Sequence, residues 1–164
     1  MAKISQKITP NLWFDKEARE ATKFYTSIFK KSKILKTSYY GKAGFEIHHM
    51  KEGTIMTIEF ELEGQKFMAL NAGSIFKFNE AISFVVNCET QKEIDYFWEK
   101  LSAGGDPNSQ MCGWLKDKFG LSWQIVPAVL GEMMNDKKKS EKVMTALLQM
   151  KKLDIEKLKQ AHKS

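Results

Sequence analysis

One order of elements occurs twice in this chain, and it restricts the fold more than any other feature of the sequence. Residues 5–14, SQKITPNLWF, mix β-branched and aromatic residues and run into Asp15, a residue suited to capping a helix. In the segment that follows, DKEAREATKFYTSIFKK, Ala18, Ala21, Tyr25 and Ile28 recur at helical spacing with Phe24 beside them. Three strand-like runs come next: SKILKTSYYG, TIMTIEFELEG and QKFMALNAG, the last two joined by a short turn at Gly64-Gln65 that fits a hairpin. The first half therefore reads β-α-β-β-β. In the second half AISFVVNC reads as a strand, and Thr90 with Glu93 three residues on forms a capping box. The helix it opens carries Ile94, Phe97, Trp98 and Leu101 on one stripe and stops at Gly104-Gly105. A strand around QMCGWLKD, a turn at Lys118-Phe119-Gly120 and a last strand, LSWQIVP, finish the unit. Sliding one half along the other pairs Phe24-Tyr25 with Phe97-Trp98, Ala21 with Ile94 and Ile28 with Leu101.

After Pro127 the pattern changes to a Lys-, Met- and Leu-rich stretch without strand-like runs. Val143, Leu147 and Met150 share a helical face that Met144 and Leu148 widen, and Asp154 can cap a second short helix carrying Ile155, Leu158 and Ala161. Helices this short are not stable alone in water, so their apolar stripes must dock on the domain or on a second copy of the chain.

Charge bears on the partners such a chain can have. The net charge is +6, and residues 136–164 supply most of it with nine Lys against four acids. The body is nearly neutral, and Arg19 is the chain's single arginine. Nucleic-acid readers rely on arginine for bidentate contacts that lysine cannot reproduce, which argues against nucleic acid as a partner. The tail lysines read as a solvated helix face rather than a membrane anchor. No apolar run is long enough to cross a bilayer, the N-terminal MAKISQKITP lacks the apolar stretch of a signal peptide, and two cysteines make no disulfide framework; the expectation is a cytoplasmic protein.

ITPNLWFDKEAREATKFYTSIF, FELEGQKFMALN, FNEAISFVVNCETQKEIDYFWEKLS and CGWLKDKFGLSWQIVP resemble the PhnB-like family of the glyoxalase/bleomycin-resistance/dioxygenase (vicinal-oxygen-chelate) superfamily, often labelled "3-demethylubiquinone-9 3-methyltransferase domain". The resemblance implies an α+β fold of two βαβββ modules, about 5–73 and 79–127, whose eight strands form a curved sheet around a cleft. On this reading residues 1–135 are the domain and 136–164 a helical extension packed on it or on a dimer mate. A homodimer is also implied. In metal-using members four ligands, His or Glu, line the cleft. The matching positions here are Pro10, Ala69, Ala81 and Gln124, and the neighbours Thr9, Asn11, Leu70, Asn71 and Ile82 supply no His, Asp or Glu. A divalent site needs charged or imidazole donors, so no metal and no cofactor is expected. No glycine-rich loop follows a strand, so the methyltransferase label carries no expectation of S-adenosylmethionine binding.

Strand alternation, taken from those four positions, points Leu12, Phe14, Phe67, Asn71, Ser83, Val85, Ser122, Gln124 and Val126 into the cleft, with Trp123 and Ile125 toward the outer helices. Cys112 and Trp114 share one strand face and are assigned to the cleft as well. That lining is apolar with a few neutral polar groups, and it fits a small-molecule ligand or a closed core in which those groups bond one another. His48 and His49, adjacent in an extended segment, would point to opposite faces and so could not share a metal. Cys88 and Cys112 read as inert buried thiols. The leading functional reading is a metal-free small-molecule-binding protein. Its rivals are an enzyme using Cys112 or Tyr39/Tyr40 in place of a metal, and a scaffold acting through the Lys-rich tail.

Overall fold

The computed structural model describes residues 6–164, so the start of the expected first strand at Ser5 lies outside the described residues. The chain is mixed α+β and divides into two units between Lys77 and Phe78.

In the first unit β1 (Asn11–Phe14) leads to α1 (Ala18–Ile28) and β2 (Ser32–Tyr39); a single helical turn, α2 (Phe45–His48), precedes β3 (Ile55–Leu62) and β4 (Gln65–Asn71). The sheet order is β1-β4-β3-β2, with β1 parallel to β4 and the other pairs antiparallel. The β3–β4 hairpin closes at Glu63-Gly64, one residue earlier than the sequence suggests, with φ of +48° and +84°. Two consecutive left-handed residues are what a two-residue type I′ turn requires, and Gly64 meets that need without strain.

Aromatic stacking builds the core of this unit. Tyr25 of α1 stacks on Phe60 of β3 at 6.3 Å between ring centres, and Phe60 stacks on Phe67 of β4 at 5.4 Å. Ala18, Ala21, Tyr25 and Ile28 are buried, as their spacing requires. Asp15 does not cap α1: the residue before the helix is Glu17, whose side chain makes no capping bond. The first helical N–H, that of Ala18, instead donates to Asn71 Oδ1 at 2.9 Å, so the cap comes from a residue 53 positions away.

The second unit runs β5 (Ser83–Cys88), α3 (Gln91–Ser102), a 3-10 turn at Pro107–Ser109, β6 (Trp114–Lys116), β7 (Ser122–Pro127), α4 (Leu130–Asn135), α5 (Ser140–Leu148) and α6 (Ile155–Lys163). Its sheet order is β5-β7-β6, with β5 parallel to β7. The Thr90–Glu93 capping box is present in both directions. The described residues hold seven strands rather than eight, because this unit is βαββ. Where the first unit has a strand after its helix, the second has the 3-10 turn, and that segment settles its polar groups locally. Asp106 accepts the Asn108 N–H, Pro107 has no N–H to offer, and Ser109 Oγ takes the Lys116 N–H. Gly105 fits there because a Cβ would stand 2.0 Å from the Lys116 carbonyl oxygen.

The tail belongs to this second unit by direct contact. Met133, Val143, Leu153 and Leu158 form a buried cluster with Leu147 and Met150 packed against it. Gln91 of α3 grips the chain between α5 and α6, donating to the Leu153 carbonyl at 3.1 Å and accepting the Ile155 N–H at 2.9 Å. Lys152 pairs with Asp95 at 2.5 Å, and Asp154 caps α6 as its position suggests. Met144 and Leu148, the residues that widen the α5 stripe, stay exposed.

Candidate ligand-binding face

Each sheet has one face against its helix, and the assignment of faces decides which side chains are free to meet a ligand. In the first unit the register joins Leu12 to Ala69, Phe14 to Asn71, Ile58 to Ala69 and Phe60 to Phe67. Phe60 stacks on Tyr25 and Asn71 caps α1, so this entire set faces the helix. Leu12, Phe14, Phe67 and Asn71, which the alternation from Pro10 and Ala69 assigns to the cleft, are therefore core residues, exposed by 7% or less. The frame is off by one residue on both strands. Ala69 is fully buried under α1, and side chains on the opposite face include Asn11, Trp13, Met68 and Leu70.

Asn71 is fully committed there. Its Oδ1 takes the Ala18 N–H, its Nδ2 donates to the Ile55 carbonyl at 3.1 Å, and its own carbonyl accepts the Tyr40 hydroxyl at 2.6 Å. That bond occupies Tyr40, which is buried and whose phenol is pushed up by burial, so Tyr40 is a structural hydroxyl rather than a catalytic one. Tyr39 is exposed. His48 is similarly placed in structure. It sits in α2, with Nδ1 accepting the Met50 N–H at 3.0 Å, Nε2 3.1 Å from the Ala43 carbonyl, and its ring 4.5 Å from that of Tyr40.

In the second unit Trp123, Ile125 and Pro127 are buried on the α3 side, while Gln124 and Val126 between them are half-exposed. Cys88 is on the helix side too. Burial first, then the nearby Glu93 carboxylate, pushes its thiol up to about 12, which leaves it protonated and inert. The face away from α3 carries two rows set by the strand register. Ser83, Ser122 and Lys116 form one; Val85, Gln124 and Trp114 form the other. Gln124 Nε2 donates to Ser83 Oγ at 2.9 Å. Ser122 Oγ is buried and has no hydrogen-bond partner. Lys116 forms an ion pair with Glu80, and that bond to the ammonium holds the Glu80 carboxyl below its usual range. Here the structure brings together five of the residues singled out from sequence: Ser83, Val85, Trp114, Ser122 and Gln124.

Cys112 does not join them. Its φ is +51° and that of Gly113 +86°, and the backbone of Met111 and Trp114 closes around them in two hydrogen bonds, so the pair forms a tight turn. Strand alternation does not apply in a turn, and its N–H groups are drawn to the tail, Cys112 to the Met150 carbonyl and Gly113 to that of Lys151, both at 2.8 Å. Gly113 has little choice of side chain: a Cβ would lie 3.0 Å from the Ile125 carbonyl oxygen and 3.1 Å from Leu153. Lys116 is the site residue that sequence reasoning passed over, although it lies two residues beyond Trp114 and so shares its face.

A divalent metal of the kind used elsewhere in this fold does not fit these residues. Among the described residues no three of His, Cys, Asp or Glu converge. At the positions compared, Ala81 and Ala69 offer no donor, Pro10 spends its carbonyl on the Met68 N–H, and Gln124 is a neutral amide bonded to Ser83. Among the described residues no helix is long and apolar enough to cross a membrane.

A helix between the first two strands of a unit, with the first strand parallel to the last, defines the glyoxalase/bleomycin-resistance fold, and comparison with known proteins agrees. The family model described as 3-demethylubiquinone-9 3-methyltransferase matches residues 6–126. A solved structure from Bacillus cereus, titled a putative 3-demethylubiquinone-9 3-methyltransferase, PhnB protein, is 41% identical, with 75% of this chain and 100% of that one covered and a TM-score of 0.63. The chain belongs to this PhnB-like family. Two more distant structures share the fold. Protein PA1353 from Pseudomonas aeruginosa is 20% identical, covering 75% of this chain and 98% of that one at TM-score 0.57. The genomically encoded fosfomycin resistance protein FosX from Listeria monocytogenes is 16% identical, covering 79% and 98% at TM-score 0.51. No curated protein matched the sequence.

Proposed function

We propose that this protein binds a small organic molecule on the β5-β7-β6 sheet face away from α3, without a catalytic divalent metal. The observation that carries the reading is the Ser83–Gln124–Trp114 group. A half-exposed aromatic ring and an apolar valine flank an amide whose one hydrogen bond goes to a serine, and a buried hydroxyl beside it is unsatisfied. An apolar surface with a few convergent neutral polar groups is the usual make-up of a ligand site. The donor set argues separately against the metal, since one neutral amide cannot offset the dehydration of a divalent ion.

A thermal-shift screen with a diverse metabolite library tests this. Ligand present at a hundred times its Kd stabilises a protein by about 2.7 kcal/mol. Hits are expected, with shifts lost in Trp114→Ala; a library without a saturable hit, or hits indifferent to Trp114, would remove the reading. Elemental analysis of untagged protein should find far less than one transition metal per chain, and stoichiometric metal surviving dialysis would sink the metal-free part. Calorimetry with S-adenosylmethionine should show no saturable heat. The reading includes a homodimer, supported by the exposed Met144 and Leu148 on α5. Light scattering that stays at the monomer mass at high concentration removes that element alone.

A further inference from the structure

Resting on that reading of the face, we propose that its ligand carries a carboxylate, bound by the Ser83–Ser122–Lys116 row, on a flat apolar body lying over Val85, Gln124 and Trp114. The argument is a count of uncommitted donors. Ser83 Oγ is already an acceptor for Gln124 Nε2, so its own proton is free to point elsewhere. Ser122 is 1% exposed and its Oγ is unpartnered, which is uncommon in a folded protein and leaves its proton uncommitted. Lys116 is the third donor, its ammonium paired only with Glu80, a side chain that is 62% exposed. Ser83, Ser122 and Lys116 are register neighbours on three adjacent strands about 4.8 Å apart, a spacing that one carboxylate can bridge.

The row favours an anion over a cation, because the carboxylate beside it, Glu80, is already paired with Lys116. Glu80 is the acid beside the row, and Asp117, the residue after Lys116, looks the other way: its carboxylate takes the Trp123 indole N–H at 2.8 Å and the Phe119 and Leu121 N–H groups. Gln124 Oε1 can accept one further hydrogen bond from the ligand body. Ser122 is buried, so the ligand reaches it only as neighbouring side chains move, Lys116 turning from Glu80 to the carboxylate. Glu80 is the exposed partner of this pair and Lys116 is half-buried, so the exchange trades one carboxylate for another at the ammonium.

Benzoate is the probe, with benzamide as its neutral isostere and phenylphosphonate as a different oxyanion. Binding is read from amide and side-chain NMR shifts on the intact protein. Benzoate should bind saturably and move Ser83, Ser122, Lys116 and the Gln124 side chain, with benzamide at least about tenfold weaker. Ser122→Ala should weaken benzoate about fivefold while leaving the melting temperature of the free protein unchanged or raised, because it removes an unsatisfied buried hydroxyl. Glu80→Gln, an exposed change with no folding burden, should tighten benzoate two- to threefold by freeing Lys116, an effect of roughly the size of one surface pair. The proposal is overturned by equal binding of benzamide, by tighter binding of phenylphosphonate, by indifference to both variants, or by no benzoate binding up to solubility. Library hits of other chemistry that still need Trp114 would then leave the binding function standing and refute only the carboxylate.

Discussion

Asn71 and Gln124 are both amides on the last strand of a unit, and the two units use them in opposite ways. Asn71 looks toward its helix, is buried, and makes three hydrogen bonds through its side chain and carbonyl that join α1, β3 and Tyr40. Gln124 looks away from its helix, is half-exposed, and its one hydrogen bond reaches Ser83. The difference shows that residue type does not tell an accessible amide from a structural hub; the face of the strand does. The covers differ as well. Along β3 and β4 of the first unit the helix-facing side is shielded by α1, whereas the second unit adds three tail helices whose buried cluster and backbone bonds lock the Cys112-Gly113 turn.

The largest effect should come from ending the chain after Pro127. That cut removes the partners of the Cys112 and Gly113 N–H groups and strips Leu153 and Leu158 from the core, so aggregation or loss of cooperative unfolding is expected by circular dichroism. A soluble truncation melting like the full chain would show the tail to be an ornament and erase the contrast in covers. Next, Asn71→Leu leaves the Ala18 N–H and the Ile55 carbonyl without partners, a cost of about 3 kcal/mol in urea unfolding. Gln124→Ala should cost under about 1 kcal/mol, since water can replace its contacts. Equal losses for the two amides would break the comparison.

The cysteines sharpen it by pH. The Cys88 thiol keeps its proton in the folded state to about 12, while the unfolded thiol releases it near the ordinary value of 9.0. Stability contributed by the protonated thiol is thus intact below pH 9 and falls as pH rises toward 12, at up to about 1.4 kcal/mol per pH unit. Cys88→Val should flatten that slope in alkaline unfolding curves, and no change in slope would show the thiol to be ordinary. The smallest effect concerns Asp95, whose carboxyl is held low by its bonds to Lys152 and then Gln91. Its contribution to holding the tail is present above the usual carboxylate range and is lost as pH falls through the lowered value. Because both partners are well exposed, hydrogen exchange near Leu153 should rise only slightly in acid; a large rise would mean this pair, rather than the Leu153–Leu158 cluster, holds the tail.

Much of this was legible from local pattern. The amphipathic helices, the capping box at Thr90, the cap at Asp154 and the strands themselves follow from periodicity and short-range hydrogen bonding, which act within a few residues. In the second unit Gly120 fixes the start of β7 through a tight turn in which its N–H meets the Asp117 carbonyl, and Gln124 and Val126 lie half-exposed on the side opposite Trp123 and Ile125. In the first unit the hairpin closes one residue earlier than the sequence suggests, at Glu63-Gly64, and a one-residue slip exchanges every side chain between faces, which is why Leu12, Phe14, Phe67 and Asn71 lie on the helix side instead of the expected one.

The sequence by itself determined the order of the main elements and the family, since these depend on residue identity and near-neighbour spacing. Tertiary structure decided the rest. It set which strand face each residue takes, the capping of α1 by Asn71 in place of Asp15, the replacement of an eighth strand by a 3-10 turn, and the removal of Cys112 from the Trp114 face. The faces, the α1 cap and the Cys112-Gly113 turn depend on hydrogen bonds or contacts between segments far apart in the chain, whereas the 3-10 turn settles its polar groups locally; long-range pairings are fixed only when packing selects one register among several that local propensity allows equally.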